Sequence, residues 1–179
     1  MNDPTTGIIG MGLMGDALIK MMGVTRGWDV EASRRVNAET SSDVFDHCDV
    51  VFLCLPNSDI VRRVLGGAML RPGQIIIDTT TGDPKEMAAL GAELAEKGLH
   101  YLDATISGSS AQLLQREVLV MVGGEDAVFE QCRELFMKFA REAVHVGAGR
   151  CGAGGAGRHD SRAGRGVRRG RIHRKSSGQ

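Results

Sequence analysis

Short apolar runs rich in Val and Ile alternate with segments of helical periodicity between residues 5 and 146. Several runs are apolar at consecutive positions, most clearly over residues 50–55, as is typical of strands that helices cover on both faces of a parallel sheet. The pattern predicts seven strands, over residues 7–9, 30–33, 50–55, 75–78, 101–103, 118–122 and 143–146.

The segments between these strands carry helix signals. Asp83, Pro84 and Glu86 follow one another as an N-cap, a first-turn proline and a capping-box acid, so a helix should begin at Pro84 and run to about residue 94 or 97. Further helices are predicted over residues 14–22, 58–65 and 126–140. Alternation of strand and helix predicts an α/β fold of the doubly wound Rossmann type, with a mostly parallel sheet.

A glycine motif lies directly after the first strand, where the sequence is Gly10-Met11-Gly12-Leu13-Met14-Gly15. In such a loop the first glycine permits a tight turn, the second lets backbone approach a pyrophosphate, and the third lets the helix pack on the strand. The helix N-terminus adds amide donors and a favourable dipole. The alternative is a purely structural turn, but the strand-turn-helix context favours dinucleotide binding by all six residues.

The predicted second strand ends at Ser33-Arg34-Arg35, where an NAD-binding domain would place an acid for the ribose hydroxyls. Guanidiniums can pair with a 2′-phosphate and stack on adenine, so the pattern favours NADP, with NAD possible. The sequence does not separate Arg34 from Arg35, and both could instead be solvated loop charges.

Three segments of the chain carry a resemblance to a known family. They are residues 7–15, the segment Leu55-Pro56-Asn57-Ser58, and residues 103–109, which run Asp-Ala-Thr-Ile-Ser-Gly-Ser. In order and spacing they resemble the β-hydroxyacid dehydrogenases, a group that includes 3-hydroxyisobutyrate dehydrogenase and shares its cofactor domain with 6-phosphogluconate dehydrogenase. The resemblance extends from residue 5 to about residue 147.

The resemblance implies NAD(P)-linked interconversion of a small 3-hydroxy acid and a semialdehyde. It places Leu55, Pro56 and Asn57 against the cofactor. It also makes Ser107, Gly108 and Ser109 substrate-binding residues that correspond to the family's Ser-Gly-Gly segment, although a loop and helix cap would explain the same residues.

The chain departs from the family in two places. The catalytic lysine, which the family carries on a helix just after this domain, has no counterpart in Ala148-Gly149-Arg150-Cys151-Gly152, and the helical second domain with its dimer interface is missing. We therefore expect a C-terminally truncated chain, with no catalytic residue to assign. Between Arg35 and Cys48 there is also too little chain for the helix and strand that the family usually has.

Charge is distributed very unevenly. Residues 148–179 carry nine Lys or Arg against one acid, whereas residues 1–147 carry a net charge of minus eight. The arginine- and glycine-rich segment has few large apolar residues, so we expect domain 1–147 to be followed by a disordered tail over residues 148–179. Shifted by one base, permitted codons of this tail can encode helix-like sequence, so a frameshift is a further hypothesis that sequencing the gene would test.

Composition limits the remaining functions. The four cysteines form no Cys-x-x-Cys pair, so we expect reduced thiols and no metal. No stretch is predicted to be a membrane span or signal peptide, so we expect a cytoplasmic location. The favoured hypothesis is that the chain is an inactive or impaired NADP-dependent oxidoreductase fragment. The alternatives are a cofactor-binding protein without chemistry and, less favoured, a nucleic-acid-binding protein that uses its basic tail, which contains no aromatic residue to stack on bases.

Overall fold

A seven-stranded sheet forms the centre of the protein in a computed structural model that describes residues 4–147. Its strand order is β2-β1-β3-β4-β5-β6-β7. The strands are β1 Thr6–Ile9, β2 Arg26–Trp28, β3 Val50–Leu53, β4 Ile75–Asp78, β5 His100–Ser107, β6 Val118–Gly123 and β7 Ala140–Gly147. The predicted tail, with its proposed nucleic-acid contacts, lies outside the described residues.

Strands β2, β1, β3, β4 and β5 are parallel, so their carboxyl ends meet at one edge, which we call the carboxyl edge. Strand β6 pairs antiparallel with β5, and β7 pairs parallel with β6. The predicted Rossmann-type, mostly parallel architecture is therefore confirmed.

Within residues 4–147, six α-helices cover the sheet in two layers. They are α1 Leu13–Met22, α2 Ser41–His47, α3 Ser58–Gly66, α4 Pro84–Glu96, α5 Ser110–Leu114 and α6 Asp126–Met137. Apolar side chains of α1, α5 and α6 pack on one face, around Phe52 and Phe136, and those of α2, α3 and α4 pack on the other, around Phe45 and Leu53. Helix α4 begins as predicted, because the Asp83 carboxylate accepts from two first-turn amides and Pro84 occupies the first turn.

The predicted second strand over residues 30–33 is wrong. The strand beside β1 is Arg26–Trp28, and Ala32–Arg34 forms a short 3-10 helix. Helix α1 ends at Gly23 in a left-handed cap, and the chain reaches the sheet only three residues later. At Gly27 a Cβ atom would lie 2.7 Å from Met11 Sδ, so only glycine lets β2 pack here without a shift of that side chain.

The short segment between Arg35 and Cys48 supplies a helix and no further strand. Helix α2 begins with an N-terminal capping box, in which the Thr40 side chain accepts from the Asp43 amide and the Asp43 side chain accepts from the Thr40 amide. Val36 forms only an isolated antiparallel bridge with Gly27.

Within residues 4–147, the side chains of His, Cys, Asp and Glu form no group of three or more that could hold a metal ion. The same residues include no helix with the length and apolar character to cross a bilayer. Cys48, Cys54 and Cys132 are free thiols.

Candidate functional site

The glycine loop lies at the carboxyl edge between β1 and α1, where the crossover connections leave the sheet in opposite directions. Helix α1 connects β1 to β2 on one face, and α2 connects β2 to β3 on the other. In doubly wound sheets the crevice at this switch point is where ligands bind. The loop is therefore placed where a dinucleotide site is expected.

The three glycines of the loop differ in what surrounds them. Gly10 has a φ of +94°, and a Cβ atom there would lie 2.3 Å from Cys54 O. At Gly15 a Cβ atom would lie 1.9 Å from Gly10 O, whereas at Gly12 it would meet nothing within 4 Å. Gly10 and Gly15 are required by the turn and by helix packing, and Gly12 borders open space.

Helix α1 begins beside that open space. Gly12 is its N-cap and provides no side chain to accept from the first-turn amides. An uncapped helix N-terminus offers amide donors and the positive end of its dipole to an anion. Leu13 is 83% exposed, so it too borders the open side of the loop. The loop thus has the space and the donors that a pyrophosphate requires.

Met11 differs from its neighbours because its amide is already engaged. Met11 N–H donates to Asp29 Oδ2 at 2.7 Å, and its side chain is buried. The second carboxylate oxygen, Oδ1, accepts from Glu31 N–H at 2.8 Å. We therefore assign Met11 to the support of the loop, although sequence reasoning grouped it with the phosphate-binding residues.

Asp29 is the functional candidate that sequence reasoning missed. It directly follows β2, where an acid in an NAD-binding domain accepts the ribose hydroxyls. The carboxylate is only 8% exposed and is fixed by its two amide donors. If the sequence prediction had placed the second strand at Arg26–Trp28, Asp29 would have been recognised, because an acid at the end of that strand is expected to bind the ribose hydroxyls.

The two arginines have different contacts. Arg35 lies over the Trp28 ring at 5.4 Å and donates to the carbonyls of Asp29, Val30 and Glu39, so it fixes the loop. Arg34 is half-exposed, and within residues 4–147 its guanidinium pairs only with Glu31, at 2.8 Å. Arg34 can therefore exchange its partner for a ligand phosphate at lower cost.

The segment after β3 lies on the other side of the switch point. Leu55 N–H donates to Thr80 Oγ1 at 3.1 Å, which joins this segment to the loop after β4. Asn57 caps α3 by accepting from Ile60 N–H, and Pro56 is exposed beside it. Burial raises the pKa of Cys54 to about 12, so this thiol stays protonated and is not a nucleophile.

Ser107, Gly108 and Ser109 end β5 at the same edge. Gly108 has a φ of +142°, and a Cβ atom there would lie 2.7 Å from Val118 Cγ1, so glycine is required. Ser109 caps α5: its hydroxyl accepts from Gln112 N–H, and its own amide donates to Gln112 Oε1. Ser107 is exposed and has no such role, which leaves its hydroxyl available to a ligand.

We expect Ser109→Ala to lower the free energy of unfolding by about 1 kcal/mol, because it removes the N-cap acceptor of α5. Ser107→Ala is the matched control and should change it by less than about 0.5 kcal/mol. Urea unfolding of both variants measures this difference. Equal stabilities would show that the cap contributes nothing and would return Ser109 to the candidate ligand contacts.

The chain matches the family model of the NAD binding domain of 6-phosphogluconate dehydrogenase over residues 5–147. It is 32% identical over 118 residues to 2-hydroxy-3-oxopropionate reductase of Escherichia coli (strain K12), which covers 63% of this chain and 40% of the relative. It is 30% identical over 114 residues to 2-(hydroxymethyl)glutarate dehydrogenase of Eubacterium barkeri, covering 61% and 38%.

The chain is also similar to a protein that is named as a nuclear factor and to solved structures. Cytokine-like nuclear factor N-PAC of Xenopus tropicalis is 24% identical over 162 residues, covering 81% of this chain and 30% of that protein. The structure of 3-hydroxyisobutyrate dehydrogenase of Mycobacterium tuberculosis superimposes with a TM-score of 0.76 at 25% identity, covering 82% of this chain and 55% of that chain. The chain thus spans about half, or less, of the length of these relatives. It belongs to the family of the NAD binding domain of 6-phosphogluconate dehydrogenase.

Proposed function

We propose that this chain binds a nicotinamide dinucleotide across the carboxyl edge, with the pyrophosphate over Gly12 and the N-terminus of α1. The observation that carries the proposal is the contrast within the glycine loop. Gly10 and Gly15 are tightly packed, while Gly12 faces open space beside uncapped amides. In this arrangement Gly12, Leu13, Met14 and Gly15 border the phosphates, while Gly10 and Met11 hold the loop in shape.

The same edge supports binding of a small hydroxy acid. Ser107 and Gly108 end β5 with an exposed hydroxyl and an exposed backbone, groups that can hold a carboxylate beside a nicotinamide bound near Leu55, Pro56 and Asn57. Two relatives are named for reactions of small hydroxylated carboxylic acids. When bound, the nicotinamide supplies hydride exchange with the hydroxyl-bearing carbon, so the proposed reaction is of the 3-hydroxyisobutyrate dehydrogenase type.

No residue of this chain is assigned to the transfer of the hydroxyl proton. The family resemblance implies a lysine soon after residue 147, and this chain has none before Lys175. We therefore propose that the chain holds cofactor and acid but transfers hydride poorly or not at all.

Cofactor affinity tests the binding proposal. We expect NADPH to bind more tightly than NADH, by less than the ~1.5–3 kcal/mol of a charge-assisted hydrogen bond, because Arg34 favours the 2′-phosphate while Asp29 opposes it. Isothermal titration calorimetry of the full chain with each cofactor measures the difference. Failure of both cofactors to bind would overturn the proposed function itself.

Two single variants separate the opposing charges. Arg34→Asp should shift the preference toward NADH, and Asp29→Asn should shift it toward NADPH, since each change reverses or removes one charge near the 2′ position. Glu134→Gln on α6 is the control and should leave the ratio of affinities unchanged. A ratio that is insensitive to Arg34 would assign the 2′-phosphate to Arg35 or to no arginine.

A second candidate function is cofactor binding without any reaction. The similarity to a protein that is named as a nuclear factor, and not as a dehydrogenase, favours it. Hydride transfer from any small hydroxy acid to NAD(P)+, or from NAD(P)H to its semialdehyde, would decide between the two functions in favour of the enzyme.

A further inference from the structure

Thr80 joins the segment after β3 to the loop after β4 at the carboxyl edge. The main-chain ladder between these two strands ends where Thr79 N–H donates to Leu53 O at 2.8 Å. Past that point the amide of Leu55 donates to a side chain instead, Thr80 Oγ1, at 3.1 Å. One hydroxyl group therefore continues the pairing of the two strands beyond the end of the sheet.

The Thr80 side chain is held inside the protein by a fully buried carboxylate. Thr80 is 4% exposed, and its N–H donates to Asp78 Oδ1 at 2.9 Å. The other oxygen, Asp78 Oδ2, accepts from the Tyr101 hydroxyl at 3.0 Å. Burial raises the pKa of Asp78, and the hydrogen bonds from Thr80 and Tyr101 oppose that rise because they favour the ionised form. The position of Thr80 is thus fixed from β4 and from β5.

Leu55 lies between the glycine loop and α3. A Cβ atom at Gly10 would lie 3.2 Å from Leu55 Cδ2, and Asn57, two residues further on, caps α3. The glycine loop is also held from its other side, since Gly10 N–H donates to Trp28 O at 2.9 Å. The hydrogen bond to Thr80 therefore matters most for Leu55 and the residues that follow it.

The position of Thr80 calls for a hydroxyl group. A hydroxyl oxygen accepts from an amide, which a methyl group of similar size cannot do. Because the bond to Leu55 N–H is part-buried, the loss of its acceptor would leave this amide without a partner unless the backbone moved. Thr80 is itself too buried to touch a ligand, so it can act on one only through Leu55.

We propose that Thr80 is a positioning residue for the nicotinamide half of the cofactor, because its hydroxyl fixes Leu55 and the residues after it. The inference rests on the proposed function, in which the nicotinamide lies near Leu55, Pro56 and Asn57. The adenosine half is bound there by other residues, those of the glycine loop and of the loop after β2. Loss of the Thr80 hydroxyl therefore weakens binding of the nicotinamide half and leaves binding of the adenosine half unchanged.

Calorimetric titration of the full chain with two ligands tests this role. Thr80→Val should weaken NADPH binding by about three- to tenfold, which is the net contribution of one hydrogen bond. Binding of adenosine 2′,5′-bisphosphate, which lacks the nicotinamide, should change by less than about twofold. A substitution that only loosened the fold would weaken both ligands alike, and that result would overturn the inference.

Two further variants separate the hydroxyl from the rest of the side chain. Thr80→Ser keeps the hydroxyl and should bind NADPH as the parent chain does. Thr79→Val is the matched control, because the hydroxyl it removes donates to Leu53 O, and that carbonyl keeps its bond from Thr79 N–H. NADPH affinity that is unchanged in Thr80→Val, or equally weakened in Thr80→Ser, would overturn the inference alone. A parent chain that binds neither ligand would overturn the proposed function as well.

Amide hydrogen exchange in the chain without cofactor measures the contact independently of the proposed function. The Leu55 amide should exchange about three- to tenfold faster in Thr80→Val than in the parent chain, because it loses its acceptor. In Thr79→Val and Thr80→Ser its exchange should stay close to that of the parent. Unchanged exchange of Leu55 in Thr80→Val would show that the hydroxyl does not hold this amide and would overturn the inference.

Discussion

The purified chain should oxidise 3-hydroxyisobutyrate and related small hydroxy acids at least about 10²–10⁴-fold more slowly than ordinary dehydrogenases, even with saturating NADP. That factor is what a positioned acid or base commonly contributes, and the family lysine that fills this role has no counterpart soon after residue 147. Binding of the acid by Ser107 and Gly108 does not compensate, because holding ground state and transition state equally does not raise the turnover rate.

Nicotinamide absorbance with a panel of hydroxy acids and semialdehydes measures this turnover. A rate of about 1–10³ per second would contradict the prediction and would mean that another lysine reaches the substrate. Lys138 is the first to replace by Ala, because it caps the C-terminus of α6, just before β7 begins near the carboxyl edge. Lys175→Ala is the companion variant, and loss of turnover in only one of them would identify the proton carrier.

The glycine loop could be predicted because each of its constraints is local. A tight turn, an open approach and a close helix contact each require glycine at a fixed spacing, and the structure has the turn at Gly10, the open space at Gly12 and the contact at Gly15. The beginning of α4 was equally predictable, since Asp83 and Pro84 act within a single turn.

The second strand could not be placed from propensity alone. Residues 30–33 have an alternating pattern, but the strand that pairs with β1 is chosen by where α1 ends and by the space that Gly27 leaves for Met11. Those are tertiary contacts, and they commonly override strand propensity. The error hid Asp29, because its meaning depends on being the first residue after the strand.

Side-chain roles in the loop after β2 depend on contacts that sequence does not encode locally. Arg34 and Arg35 are adjacent and chemically equal, yet Arg35 is held by Trp28 and three carbonyls, while Arg34 pairs with Glu31 alone among the described residues. Helix α5 was missed because five residues are too few for periodicity. Its Ser109-x-x-Gln112 capping box was nevertheless visible in the sequence.

Two glycine substitutions in the same loop should lower the stability of the protein by very different amounts. Gly15→Ala should lower the free energy of unfolding by about 3 kcal/mol, because its new Cβ atom would lie 1.9 Å from Gly10 O, a backbone atom that cannot move aside cheaply. Gly12→Ala should cost at most about 1 kcal/mol, because its Cβ atom meets nothing within 4 Å and its φ of −68° suits alanine.

Cofactor affinity should rank the two variants differently from stability. Gly12→Ala places a methyl group in the space proposed for the pyrophosphate, so we expect it to weaken NADPH and NADH binding by about tenfold or more while the fold remains intact. Urea unfolding and calorimetric titration on the same preparations measure both properties. Undiminished affinity in Gly12→Ala would mean that the open space above the loop is not where the phosphates bind. In that case the glycine spacing would serve the packing of α1 on β1 alone.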